Sequence, residues 1–182
     1  MDTKISIGEP APGFTLSDLA GNAHSLSEVR GRIAIVYFWS AECGWCERAD
    51  AQLLELTLTW GDAVALLPIA SNTNEDQAQL ARAAQLRGLS LVLIDAEHRV
   101  ADLYGALTTP HLFVIDQDGI LRYQGAFDDM TFRQRTPTKN YLGMAVEALL
   151  AGQRPDPAQT MSYGCTIVRD FRRTYKKSSK IT

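Results

Sequence analysis

The sequence predicts an α/β domain, a mostly parallel sheet covered by helices on both faces. Three observations carry this. Residues 33–39, Ile-Ala-Ile-Val-Tyr-Phe-Trp, form an apolar run without alternation, as expected of a central strand buried on both faces. The period then changes: Leu53, Leu56 and Trp60 are spaced i, i+3, i+7, and Leu54 and Leu58 i, i+4, which is an amphipathic helix over 43–60. Strand-like and helix-like stretches go on alternating as far as residue 151, the order that builds strand–helix–strand units.

Taken in order, residues 5–30 hold Gly8, Pro10, Pro12, Gly13 and Gly21 with apolar touches at Phe14, Leu16, Leu19 and Leu26. They read as a loop-rich extension with one short hairpin. The helix over 43–60 stops at Gly61 and Asp62. The apolar run 63–70, with Pro68 near its end, is a second strand. An Ala-rich helix follows over 75–87, opened by Asn74 as a cap and closed by Gly88. Residues 91–94 form a short strand, and 96–104 a helical turn or two. Residues 112–115 and 120–124 flank Asp116-Gln117-Asp118-Gly119 as a β-hairpin, whose antiparallel edge pairing makes the central sheet mixed. The last helix covers 138–151, with Leu142, Ala145, Val146 and Leu149 on its buried face. This places one domain over 1–152 and a partly ordered C-terminal tail over 153–182. From Arg169 onward the tail carries six basic residues against Asp170 alone, the composition of a solvated, frayed terminus.

The chain of 182 residues has a net charge of −3 and is 46% hydrophobic. Nothing there points to a nucleic-acid or anionic-membrane partner. No apolar stretch approaches the roughly 20 residues of a membrane span. Residues 1–6 lack the apolar run of a secretory signal, so the expected location is the cytoplasm.

Three cysteines, Cys43, Cys46 and Cys165, are too few for a disulfide scaffold. Disulfide exchange needs a thiolate that attacks and a second thiol that releases the mixed disulfide. In Cys43-Gly44-Trp45-Cys46 the first cysteine stands at a helix start, where free amides and the positive helix end stabilise a thiolate. The second lies one turn on. Cys43 is thus the candidate nucleophile and Cys46 the resolving thiol. Gly44 would admit a partner backbone, and Trp45 would present an exposed apolar face to it. No cofactor is called for, and no metal: a structural zinc site wants a second ligand pair of similar spacing, and only Cys165, His24, His98 and His111 remain.

These motifs resemble the thioredoxin-like superfamily, in its redoxin branch of thiol–disulfide oxidoreductases and alkyl hydroperoxide reductase-like antioxidant proteins. The likeness lies in Gly8-x-Pro-Ala-Pro-x-Phe-x-Leu-x-Asp18, in Gly21, Leu26 and Arg30-Gly31, in Phe38-Trp39-Ser40-Ala41-Glu42-Cys43-Gly44-Trp45-Cys46, and in Thr108-Thr109-Pro110 before Leu112–Asp116. It covers about residues 8–150. It implies a thioredoxin-like fold, a cis Pro110 against the cysteine pair, and a Thr109 backbone that binds a docked substrate strand. The implied partners are a protein disulfide or dithiol and a thiol electron donor. The chain departs from thioredoxins in its Gly-Trp dipeptide and in Tyr37, which stands where they carry a buried aspartate. Asp50 and Glu47 lie on the helix beyond the pair; either could serve as the proton relay, though both read more simply as surface residues. The ending Ser162-Tyr163-Gly164-Cys165-Thr166-Ile167 resembles that of some redoxin-like proteins with no assigned role.

Two other readings stay open. In a peroxidase pattern ending at Cys43, Ser40 fills the Thr/Ser place, but Val36 fills the Pro place and no activating arginine is evident. Two thiolates with His111 after the Pro110 loop could also hold Cu(I) or zinc, against an ordinary strand-start role for that histidine. Cys165 reads more simply as a small buried hydrophobe than as a third thiol.

Overall fold

The computed structural model describes residues 5–169. The extreme N-terminus and the basic run beyond Arg169 lie outside the described residues. The elements are β1 (Thr15–Asp18), β2 (Ala23–Ser25), β3 (Ile33–Trp39), α1 (Gly44–Trp60), β4 (Val64–Ala70), α2 (Gln77–Arg87), β5 (Leu93–Ile94), α3 (Arg99–Tyr104), β6 (Thr108–Thr109), β7 (His111–Ile115), β8 (Leu121–Gly125), α4 (Tyr141–Leu150) and β9 (Cys165–Thr166).

Seven strands form one sheet in the order β2-β1-β5-β4-β3-β7-β8. Only β3–β4 and β4–β5 pair in parallel. The other four pairings are antiparallel, so the sheet is mixed rather than mostly parallel. The reason is that β7 returns along β3 in the opposite sense, while the N-terminal hairpin caps β5 at the other edge.

All seven residues of β3 are buried, and the strand's two faces feed two cores. Ile33, Ile35, Tyr37 and Trp39 face a core with Leu53 of α1, Leu80 of α2 and Val146 of α4. Ala34, Val36 and Phe38 face the core of α3 and the N-terminal extension, with Tyr104, Phe113 and Phe14. Burying one large apolar side chain is worth about 1.5–3 kcal/mol. A strand buried on both faces is therefore a rigid mount for whatever follows it.

Three local readings change. The cap of α2 is Asp76 rather than Asn74: its carboxylate accepts the Gln79 amide while the Gln79 side chain accepts from the Asp76 amide, a reciprocal capping box. Helix α4 begins at Tyr141, capped by Asn140, whose side chain accepts the Gly143 amide. On α1, Leu53 and Trp60 are buried, but Leu58 is 83% exposed because it lies on the outer side of the stripe.

Residues 153–169 of the tail are held against the domain. Gln124 donates to Ala158 and accepts from Thr160, so the segment runs along β8. A Cβ on Gly125 would meet Thr160. The chain then crosses to β6, where β9 pairs antiparallel with Thr108↔Thr166 and Thr109↔Cys165. Ile167 is 2% exposed in the second core. Val168 and Arg169 fasten the segment through Asn72, Thr73, Asp102 and Ala106.

Candidate active site

The chain leaves the buried strand β3, turns over Ser40–Glu42 and enters α1. Cys43 is the N-cap of that 17-residue helix, with extended backbone at φ −88° and ψ 111°. Its sulfur therefore sits beside amides that have no partner within the helix. Cys46 is the third helical residue, one turn on. Both cysteines are buried, at 1% and 0% exposure.

A third sulfur joins them. Cys165 Sγ lies 2.8 Å from Cys43 Sγ, carried there by the β6–β9 pairing. Cys165 is half-buried rather than buried, and it faces the sulfur at the head of α1. The Thr109 carbonyl oxygen lies 3.1 Å from Cys43 Sγ and accepts from it when the thiol is protonated, and the Thr109–Pro110 peptide bond is cis.

The three thiols divide sharply in acidity. Hydrogen bonding from the Cys46 thiol, then from Cys165 and the Cys46 amide, outweighs burial and holds Cys43 down to about 4. Burial, together with the hydrogen bond and charge of Cys43, pushes Cys46 well above the usual thiol range. The same causes push Cys165 up to about 12. One negative charge is thus shared by three sulfurs and rests on Cys43.

Behind Cys46 lies a polar relay. Tyr37 is fully buried and lies beside Cys46. It donates its hydroxyl to Asp50 Oδ1 at 2.9 Å. Trp39 Nε1 and Arg87 Nη1 donate to Asp50 Oδ2 at 3.0 and 3.3 Å. Asp50 is 1% exposed, not a surface residue, because it lies one turn beyond Cys46 on the face of α1 that meets β3. Burial raises its pKa above the ordinary carboxylate value despite the three donors. Glu47 is exposed as expected.

The turn before Cys43 is held by two side chains that sequence reasoning missed. The Arg87 guanidinium donates to the Ser40 and Ala41 carbonyls. Glu75 accepts from Ser40 Oγ at 2.6 Å and from the Glu42 amide at 2.8 Å. The Ser40 hydroxyl required by the peroxidase pattern is therefore engaged by Glu75. Arg87 is separated in sequence from the pair by more than 40 residues, and no spacing signals it. Asp50 did have a signal, four residues after Cys46 opposite the alternating Tyr37 and Trp39.

Trp45 does not present an open apolar face. Phe132 and Tyr163 meet its ring edge-on at 5.4 and 5.3 Å, and Tyr163 comes from the tail. Gly44 is exposed with no neighbouring atom near its Cα hydrogens. The close backbone approach occurs at Gly164, where a Cβ would collide with the Thr109 carbonyl and crowd the Pro110 ring. His111 begins β7 with its ring 4.5 Å from that of Phe113, and burial lowers its pKa to about 4. Among the described residues no group of three or more His, Cys, Asp or Glu is placed to hold a metal ion, and no helix is long and apolar enough to cross a membrane.

Comparison with known proteins agrees with this architecture. The thiol–disulfide oxidoreductase ResA of Geobacillus thermodenitrificans is 33% identical over 119 residues, covering 64% of this chain and 67% of that protein. The crystal structure of the hypothetical protein SMc02350 from Sinorhizobium meliloti superposes with a TM-score of 0.81 at 29% identity, covering 93% of this chain and 97% of that one. The thioredoxin domain of the thiol–disulfide oxidoreductase BVU-2223 from Bacteroides vulgatus gives a TM-score of 0.60 at 21% identity over 72% and 94% of the two chains, a likeness of fold. Residues 7–124, which contain both Cys43-Gly-Trp-Cys46 and Thr109-Pro110, match the AhpC/TSA family, and the chain belongs to that family.

Proposed function

We propose that this thiol–disulfide oxidoreductase works through Cys43 as the attacking thiolate and Cys46 as the resolving thiol, on a protein or small disulfide. The observation that carries the reading is the Cys43 sulfur at the head of α1, kept ionised by thiol and amide donors while its neighbours stay protonated. The Cys43 thiolate attacks one sulfur of a substrate disulfide. A Cys43–substrate bond forms, and the other substrate sulfur leaves with the electron pair and takes up a proton. Cys46 then loses its proton and attacks Cys43 Sγ. That attack forms the Cys43–Cys46 bond and expels the second substrate thiolate. Two electrons pass from the dithiol to the substrate, and an external thiol donor restores the pair.

The Cys46 proton has a route. Once Cys43 is tied up in the mixed disulfide it no longer takes the Cys46 proton, and the neighbouring Tyr37, whose hydroxyl donates to Asp50, is placed to accept it. Asp50 holds its proton more readily than an ordinary carboxylate, so it is suited to accept one through Tyr37 and return it. Tyr37 and Asp50 thus share the work of the single buried acid that the resemblance leads one to expect at position 37. Thr109 and Pro110 supply the strand edge on which an extended substrate segment would dock, and Trp45 its aromatic flank.

The test is reduction of an insulin-type disulfide by wild type, Cys43→Ser and Cys46→Ser, beside peroxide consumption by the same proteins. Exchange that is lost in Cys43→Ser, and that stalls as a mixed disulfide in Cys46→Ser, supports the reading. Cys43-dependent peroxide turnover without disulfide reduction would replace it with the peroxidase.

A further inference from the structure

The tail occupies the place a substrate would take. Thr108-Thr109 is a short strand edge beside Cys43, and such an edge binds an extended segment through its main chain. Here β9 already fills it, with Cys165 opposite Thr109 and its sulfur 2.8 Å from Cys43. The fit is specific. Gly164 passes so close to the Thr109 carbonyl that no other residue type fits in this register. Thr108 Oγ1 donates to Ser162 Oγ at 3.0 Å, and the Ile167 amide donates to the Leu107 carbonyl at 2.9 Å. Buried Ile167 fixes the far end and the ring contact of Tyr163 with Trp45 the near end.

We propose that Cys165 is a third redox-active thiol and that Ser162–Ile167 is a built-in substrate strand, so that the enzyme passes through an internal Cys43–Cys165 disulfide. The proposal rests on Cys43 being the attacking thiol. Starting from the Cys43–Cys46 disulfide, Cys165 loses its proton and its thiolate attacks Cys43 Sγ. The Cys43–Cys46 bond breaks, the Cys43–Cys165 bond forms, and Cys46 leaves with the electron pair and takes up a proton. One disulfide is exchanged for another within the chain, so no outside oxidant or reductant is consumed. The effect is to move the oxidised sulfur outward. Cys43 and Cys46 are at most 1% exposed, whereas Cys165 is half-buried and open to an external thiol. The same docking shields Cys43 in the reduced enzyme, and an outside substrate has to displace the strand. That substrate should share the strand's chemistry, an extended segment with glycine directly before its cysteine.

The full chain is oxidised in glutathione buffers, acid-quenched, alkylated and mapped by peptide mass. The expected result is two bridges in wild type, Cys43–Cys46 and Cys43–Cys165, with Cys43–Cys165 alone in Cys46→Ser. Gly164→Val should lose the Cys43–Cys165 bridge and keep Cys43–Cys46. It should also speed alkylation of reduced Cys43 by at least about tenfold, since an undocked strand raises the reactive population. Cys165→Ser, which keeps the strand, should slow re-reduction of the Cys43–Cys46 form by glutathione. If Cys46→Ser ends as a glutathione adduct on Cys43 with Cys165 free, and Cys165→Ser is re-reduced at the wild-type rate, the proposal is overturned and the exchange reading survives. If Cys43 forms no bridge in wild type or in Gly164→Val, both fall together.

Discussion

Asp50→Asn separates the role of the buried carboxyl from its packing. The amide is isosteric, so no cavity opens. Its oxygen can take the Oδ2 place, where Trp39 and Arg87 donate at 3.0 and 3.3 Å. Its nitrogen then faces the Tyr37 hydroxyl, which turns from donor to acceptor. Every group keeps a partner. What is lost is the extra strength of hydrogen bonds to a charge, about 1 kcal/mol, and this is set against relief from burying the carboxylate. Stability at pH 7 should therefore stay within about 1 kcal/mol of wild type, a change in Tm of no more than about 4 °C for a domain of this size.

The pH dependence of the same pair of proteins has a definite sign. Burial raises the folded-state pKa of Asp50 above 3.8. The folded state keeps this proton longer than the unfolded chain, so wild type loses stability as pH rises from about that value through the raised one. Each unit of separation is worth about 1.4 kcal/mol. The variant lacks this loss, so the difference between the proteins moves in its favour over that window. Thermal unfolding of both reduced proteins from acid to neutral pH gives the difference curve. Stopped-flow measurement of mixed-disulfide resolution gives the function. With the hydroxyl reversed, Tyr37 can no longer carry the Cys46 proton to position 50, and resolution should slow by about 10²-fold or more while formation of the mixed disulfide is unchanged. A difference curve that moves in favour of wild type with rising pH, or resolution at the wild-type rate, refutes the relay.

Three further outcomes follow from the geometry. Thiolate absorbance of the reduced protein should titrate with a midpoint near 4 for Cys43. That midpoint should rise in Cys46→Ala, which removes the largest stabilising donor. Because the folded value lies below the unfolded one, the associated stability is present above the ordinary thiol range and lost as pH falls toward 4. Arg48→Met removes the two-pronged contact to Asp128 at 2.7 and 3.0 Å. It leaves a carboxylate 4% exposed with the Met130 amide, and should cost about 3 kcal/mol in denaturant unfolding; a loss below about 1 kcal/mol would show that water replaces the guanidinium. Gly125→Ala sets a Cβ against Thr160 at φ +146°. It should loosen residues 158–160 from β8, read as faster limited proteolysis beyond residue 152 with the rest of the domain intact.

The parts of the fold that a single segment encodes were legible in advance. The unbroken apolar run 33–39 specifies a doubly buried strand, and the change of period after Cys43 specifies the helix whose N-terminus holds the sulfur. Pairing sense was less legible. The closing hairpin already marked the sheet as mixed, but a strand's composition does not say which neighbour it takes or in which direction, so the antiparallel pairing of β7 with β3 and of the N-terminal hairpin with β5 was not legible. At the site, Cys43 and Cys46 are visible because their spacing is local. Asp50 was misassigned because a charged residue on an amphipathic helix reads as solvated unless its partners are known, and those partners, Tyr37, Trp39 and Arg87, come from two other elements. The placement of Cys165 was hidden for the same reason: 122 residues separate it from Cys43, and only the β6–β9 pairing brings it there.

The three acidities also explain what a third sulfur contributes. A thiol attacking a disulfide prefers the sulfur whose partner is the better leaving group, the one of lower pKa. In a Cys43–Cys46 bridge that preference directs attack to Cys46, so that Cys43 departs as the stabilised thiolate. Yet Cys46 is fully buried. Attack on Cys43 instead must expel Cys46, whose thiolate burial disfavours. Neither sulfur of the two-cysteine form therefore combines access with a good leaving group, since Cys43 too is only 1% exposed. In a Cys43–Cys165 bridge they agree: the half-exposed sulfur is Cys165, and attack on it releases Cys43 into the donors that hold it near 4. On this argument re-reduction should be faster from the Cys43–Cys165 state. The rate measured on Cys46→Ser, which can form only that bridge, should exceed the rate on Cys165→Ser, which can form only the other. The reverse order would show that the external thiol reaches the buried pair directly.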